Sequence, residues 1–329
     1  MKKTLIALAA IAAAGAASAQ VTVYGKFDVG YSMTSGNTEN PAAAAKNINV
    51  VGVSGWETSR FGVKASEKAS GLTLSVNLEG KVYDGTAPFK GFDRTATVGI
   101  SGSFGTVTLG NQWTPVDNAI WTTDALEYNG FTPLAGGIWN YDMGNTGMGN
   151  AKGSIQYATP DMNGFQGFIL SAPNVNDSSV ATNYTGLGIN YGKGPLVIQW
   201  ANQSYTLGSS ATTSTNVFAF NYNVGVANLY AGFVNTDSGA AATGKDSGYT
   251  FGVKVPLGND SVSVGYAKNT TSISGKADAS YGSWAAQYIK SVSKTTVAYF
   301  GIRSVETLNY KQTAVDNVIK TGAGLRLDF

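Results

Sequence analysis

Val21-Thr22-Val23-Tyr24-Gly25-Lys26-Phe27-Asp28-Val29 decides the fold. Val21, Val23, Phe27 and Val29 fall on one face, and Thr22, Tyr24, Lys26 and Asp28 on the other. A strict period of two marks a β-strand with one apolar face. Leu72, Leu74, Val76 and Leu78 repeat the pattern against Thr73, Ser75, Asn77 and Glu79. The chain ends on Gly324-Leu325-Arg326-Leu327-Asp328-Phe329, again alternating. Working outward from the first stretch, such segments fall at 21–34, 58–67, 71–83, 92–103, 105–111, 152–159, 164–172 and 182–191. They continue at 195–206, 214–224, 226–236, 247–256, 260–269, 280–291, 294–306 and 318–329.

The connections alternate in length. Ser70-Gly71, Phe104-Gly105, Asn163-Gly164 and Leu257-Gly258-Asn259-Asp260 mark tight turns, while polar stretches at 35–56, 173–181, 207–215, 236–247 and 269–279 are long. Short turns on one side and long loops on the other are the pattern of an up-and-down membrane barrel. The predicted fold is all-β: a 16-stranded antiparallel transmembrane β-barrel. A barrel of that size is too wide for side chains to fill and leaves an aqueous channel.

Composition agrees. Gly (42), Tyr (17) and Phe (14) are abundant, Pro (8) is scarce, and mean hydropathy is −0.04. Lipid-facing and lumen-facing residues alternate in such a barrel, so average hydropathy looks like that of a soluble chain. At the N-terminus, Lys2-Lys3, an apolar run over Leu5–Ala14 and Ala17-Ser18-Ala19 read as a signal peptide spanning 1–19, leaving one barrel domain over 20–329. Without Lys2 and Lys3 the basic and acidic residues balance, which gives nucleic acid no basic patch to bind. The absence of Cys and His excludes disulfides, thiol nucleophiles, Ser-His-Asp and HExxH sites, and the usual zinc sites. No enzymatic activity, catalytic residue, cofactor or metal is expected. Asp124 and Glu127 form a carboxylate pair of the glycosidase kind, but their spacing carries no specificity.

One connection differs. From Gln112 to Asn150 no segment alternates, and no Lys or Arg lies between Arg94 and Lys152. The stretch carries Asp117, Asp124, Glu127 and Asp142, with Trp113, Trp121, Tyr128, Phe131, Trp139 and Tyr141 among them. Unstructured connections this long are usually functional, and so aromatic a loop needs a surface to pack on. Folded inward, it would set its acids against the wall's bases, and opposed charges across an aperture sort ions and polar solutes. Lys26, Lys64, Lys81 and Arg326 have lumen parity, with Arg60 beside them. Arg94 shares parity with Val98 and Ile100; it reaches the lumen only if a bulge intervenes or its strand starts later.

Val21-Thr22-Val23-Tyr24-Gly25, Ser59-Arg60-Phe61-Gly62-Val63-Lys64-Ala65-Ser66-Glu67, Val98-Gly99-Ile100-Ser101-Gly102, Phe104-Gly105-Thr106-Val107-Thr108-Leu109-Gly110 and the terminal Phe329 together carry a resemblance. In their order and spacing the chain resembles the general porins of Gram-negative bacteria, most closely the β-proteobacterial type. The resemblance implies a homotrimer in the outer membrane, among bilayer lipid and lipopolysaccharide. It implies a third loop folded into the lumen, passive diffusion of ions and small hydrophilic solutes, wall positions for Arg60 and Arg94 near the constriction, and a role for Phe329 in the signal read by the barrel-assembly machinery. The chain departs from the family at Asn111, where Arg is usual, and at Glu67-Lys68-Ala69-Ser70-Gly71. Asn111 and the balance of basic and acidic residues favour neither sign of ion selectivity. A substrate-specific sugar channel is the competing expectation, with Trp113, Trp121 and Trp139 as its aromatic track.

Overall fold

A computed structural model of the chain describes residues 20–35, 48–82, 89–134, 149–173, 181–207, 211–239, 244–272, 274–275, 278–308 and 314–329. The expected signal peptide, Asp142, Trp139 and Tyr141 lie outside the described residues.

The elements in order are β1 (Gln20–Ser35), β2 (Ile48–Val53), β3 (Arg60–Ala69), β4 (Leu72–Lys81), β5 (Thr95–Gly102), β6 (Gly105–Trp113) and a helix, α1 (Pro115–Thr122). There follow β7 (Asn150–Ala158), β8 (Phe165–Ala172), β9 (Ala181–Lys193), β10 (Leu196–Leu207), β11 (Thr213–Asn223) and β12 (Asn228–Asp237). The last are β13 (Lys245–Leu257), β14 (Asp260–Ser272), β15 (Ala279–Ser291), β16 (Thr296–Leu308) and β17 (Ala314–Asp328). All join one antiparallel sheet.

The sheet closes where β1 meets β17, from Lys26↔Asp328 to Ser35↔Ile319. Gly25 N donates to Phe329 O (2.8 Å) and Phe329 N to Gly25 O (3.0 Å), which ties the chain ends of the barrel together. On its other edge β1 pairs with β2 along Val29–Thr34 and with β3 along Gln20–Lys26. These two segments are therefore one stave in two pieces, and the barrel has sixteen staves. The expected second strand, 58–67, was too short: its upper part, 48–53, reads in sequence as loop because Val50 and Val51 break the alternation.

The alternation sets an outer and an inner face. Val23, Phe27, Val98, Phe218, Phe251 and Phe300 are exposed on the outer face, the arrangement lipid requires. The apolar core lies inside the barrel instead. Val116, Ala119, Ile120 and Leu134, from the stretch after β6, are buried with the inward residues Leu170, Tyr184, Ala201, Val217 and Val234. A second cluster joins Leu126 and Phe131 to Trp56, Ala285 and Tyr299.

Candidate functional site

The long connection after β6 begins with a helix that no period-two reading could find. Thr114 caps it, accepting from Asp117 N at 3.2 Å, and Pro115 occupies the first turn. Thr-Pro before an apolar run is the local start signal, and it was there to be read. α1 buries Val116, Ala119 and Ile120 against β9, β10 and β11. Beyond it the chain reverses through Glu127 and Tyr128, both at positive φ (62° and 50°). Asp124 holds this reversal: its carboxylate accepts from Leu126 N (2.9 Å), Tyr128 N (2.9 Å) and the Thr132 hydroxyl. Burial pushes the Asp124 carboxyl above its ordinary value, although those three donors pull the other way.

The wall makes room for the segment with small residues at inward positions. A side chain on Gly232 would strike Thr123, on Gly252 Ala125, on Gly265 Pro133 and Leu126, and on Gly301 Phe131. Their outward neighbours Phe233, Phe251, Val264 and Phe300 are exposed, so these contacts are on the lumen side. Hydrogen bonds complete the berth. Asn129 Nδ2 (2.7 Å) and Trp56 Nε1 (3.2 Å) both donate to Gln287 Oε1. Gly130 N donates to Trp56 O (2.7 Å), Lys320 Nζ to Gly130 O (3.1 Å), and the Ser283 hydroxyl to Pro133 O. The row of inward glycines on β12, β13, β14 and β16 is a signal of this berth that is legible in the sequence.

The break between β2 and β3 is a second structured feature of the lumen. Buried Asp28 accepts from Trp56 N at 3.2 Å and from the Tyr299 hydroxyl at 3.2 Å. Ser54 (φ 63°) turns the chain, and its hydroxyl accepts from Ser59 N at 2.8 Å. Glu57 is thereby set among bases: Lys26 at 2.7 Å, Arg326 at 2.6 Å and Arg60 at 3.6 Å. Glu79, on β4, takes Arg94 at 2.7 Å and Arg60 at 3.4 Å. Lys26, Arg60, Arg94 and Arg326 thus find acids on the wall itself; neither Glu57 nor Glu79 was among the acids expected at the constriction.

Arg94 is inward because β5 starts at Thr95, later than the expected 92. As a residue outside the ladder it escapes the alternation, and its guanidinium lies over the Trp113 ring at 5.0 Å. Lys64 lies over Tyr24 at 4.7 Å, and Arg326 over Trp56 at 4.6 Å. Lys81 closes the inward row of β4, its N–H bonded to Asp93 at 3.0 Å. Of the loop acids, Asp117 (3 % exposed) and Asp124 (2 %) are buried. Glu127 is open to the lumen, its side chain 45 % exposed, and pairs with Lys254 on β13. Asn111 turns away, donating to Asp93 O at 3.1 Å. Lys320 and Arg303 sit beneath the loop at Gly130, bases that the sequence reading left out. Lys26, Arg60, Lys64, Glu79, Trp113 and Asn118 border a cavity of about 560 Å³.

Comparison with known proteins agrees with this geometry. The family model for the Gram-negative porin matches residues 4–310. The chain is 32 % identical over 275 residues to the outer membrane porin protein 32 of Delftia acidovorans, covering 78 % of this chain and 77 % of that protein. It is 29 % identical over 233 residues to the major outer membrane protein P.IB of Neisseria gonorrhoeae, covering 64 % and 63 %. Among solved structures, the anion-selective porin from Comamonas acidovorans superposes with a TM-score of 0.79 at 24 % identity, covering 95 % of this chain and all of that one. A loop-deletion mutant of OmpT from Vibrio cholerae gives 0.74 at 15 % identity, again over 95 % and 100 %. A closed sixteen-stave barrel with an apolar outer face, a polar charged lumen and this match over nearly the whole chain make one conclusion: the protein belongs to the Gram-negative porin family, the channel-forming barrels of the outer membrane.

Proposed function

We propose that this porin passes small hydrophilic solutes through an aperture between residues 112–134 and the wall around Glu57 and Glu79, and that it prefers anions. Charge carries the reading. Lys26, Arg60, Lys64, Arg94 and Arg326 gather around Glu57, Glu79 and Asp328, so the bases exceed the acids among the described residues of this patch. A low-dielectric wall focuses such a field onto the water between, lowering the energy of a passing anion and raising that of a cation. The similar Comamonas protein is described as anion-selective, which supports the sign. Asp117 and Asp124 serve this aperture by shaping the loop, and Glu127 by placing charge at its edge. Asp142 belongs to the same acidic loop.

The working unit is a homotrimer, as the family resemblance implies, set in lipid and lipopolysaccharide. Residues 1–19 direct export, and Phe329, hydrogen-bonded to Gly25 at the closing seam, is part of what the assembly machinery reads. No catalytic role is assigned to any residue.

The test is the reversal potential across a planar bilayer under a potassium chloride gradient. A sign showing chloride more permeant is expected; a cation-selective sign overturns the proposed preference. Liposomes carrying the protein should swell in small sugars, and impermeable liposomes would overturn the channel itself.

A further inference from the structure

α1 turns one large apolar side chain away from the wall. Val116, Ala119 and Ile120 are buried, while Asn118 and Trp121 face the open lumen, Trp121 with 40 % of its surface exposed. An indole left wet inside a channel is a surface waiting for a flat partner, since aromatic rings gain from offset or edge contacts beyond the area they bury. Trp121 is also held in place: its ring centroid is 6.4 Å from Trp113 and 5.8 Å from Tyr128. Across from these rings lies the β2–β3 break. The two sides enclose a cleft of about 180 Å³ whose charged lining is Arg60, Arg94, Glu57 and Glu127.

The charges in this cleft are unequally committed. Glu57 is taken by Lys26 and Arg326 at 2.7 and 2.6 Å, and Glu127 by Lys254. Arg94 is bound to Glu79 at 2.7 Å and covers Trp113. Arg60 differs. Its carboxylate contacts, 3.4 and 3.6 Å, are longer than charge-assisted hydrogen bonds, which run about 2.7–2.9 Å. Among the described residues, its one short bond is from Nη1 to Thr58 O at 3.1 Å. A guanidinium has five N–H donors, so Arg60 keeps donors for a ligand. A sugar stacked on Trp121 would need acceptors as well as donors, and the cleft's carboxylates are already occupied.

We propose that this cleft is a subsite for planar aromatic carboxylates, the ring stacking on Trp121 and the carboxylate meeting Arg60. The inference rests on the channel reading and adds to it a solute class that lingers in the aperture rather than merely crossing it.

The experiment uses full-length protein in planar bilayers, with chloride current recorded as benzoate or cyclohexanecarboxylate is added. The two probes share charge and approximate size, and only benzoate has a π face. Saturable reduction of current is expected, with half-saturation about three- to tenfold lower for benzoate, the equivalent of one aromatic contact. Trp121→Ala should bring the ratio between the probes to one, and Trp121→Phe should retain a preference; reading the ratio within each variant cancels any change in bore. Arg60→Gln should weaken both probes together. Equal action of the two probes on the wild type, a preference that survives Trp121→Ala, or stronger block by glucose than by benzoate each overturns the subsite. Open channels without discrimination leave the channel reading standing, whereas absence of open channels would fail that reading first.

Discussion

Gly301 offers the sharpest test of how the loop is seated. A methyl group there would lie 2.4 Å from Cγ and Cδ2 of Phe131, and 2.8 Å from Cδ1. Carbon atoms settle at about 3.5–4.0 Å, so the ring would have to retreat by about 1 Å. It has nowhere to go: Phe131 is 1 % exposed, its far edge would lie 2.9 Å from a side chain at Gly322, and Lys320 Nζ sits 5.0 Å over its face. Overpacking of this kind costs about 1–3 kcal/mol. The barrel ladder through Gly301, paired to Gln287 and Gly322, uses only backbone and stays intact. Gly301→Ala should therefore leave assembly and heat-modifiable mobility unchanged while unseating the loop. Amides of residues 123–134 should exchange about 5- to 100-fold faster, since local opening sets their rate, and single-channel conductance should rise. In a Phe131→Ala background the same substitution should add nothing, because the clash is gone. Unchanged exchange and conductance in Gly301→Ala, or an effect that persists without the ring, would refute the seating of Phe131 between β16 and β17.

Neutralising the loop acids should separate two roles. Glu127→Gln removes an exposed charge, and two unit charges about 4 Å apart in water interact by about 1 kcal/mol, so the chloride-to-potassium permeability ratio should increase about threefold or more at low salt. Asp124→Asn replaces one acceptor oxygen of the loop's own turn with a donor; it should speed amide exchange at 126–132 with a far smaller change in reversal potential. Equal selectivity shifts in the two variants would show that Asp124 faces the ions. Thr114→Ala should cost α1 its cap, about 1 kcal/mol, seen as broader open-channel current noise; an unaltered noise spectrum would mean that wall packing alone holds the helix. Deleting Phe329 removes both backbone bonds to Gly25 and should slow barrel closure, measured as the fraction folded on an unheated gel; wild-type folding yield would deny the seam that role.

How far the sequence reached depends on the range of the interaction. Period-two alternation is local, so Val21–Val29 and Leu325–Phe329 declared strand and inner face without any partner, and the number of staves followed from counting turns. An acid-only aromatic stretch at 112–150 was likewise visible as an exception to that rhythm. Three things were not visible, and each depends on residues far apart in the chain. The second stave extends to 48–53 because β1 offers an edge to it, not because Val50 and Val51 alternate. Arg94 faces inward because the β4–β5 ladder ends at Glu79↔Thr95, one residue short of it. The acids that answer the wall bases are Glu79, which meets Arg60 and Arg94 across neighbouring strands, and Glu57, which closure of the barrel brings beside Arg326, 269 positions away. Hydrophobic patterning is written residue by residue, and the sequence therefore determined a barrel with a wet interior. Which charges meet inside it, and where the loop comes to rest, belong to closure, and only the tertiary structure decided them.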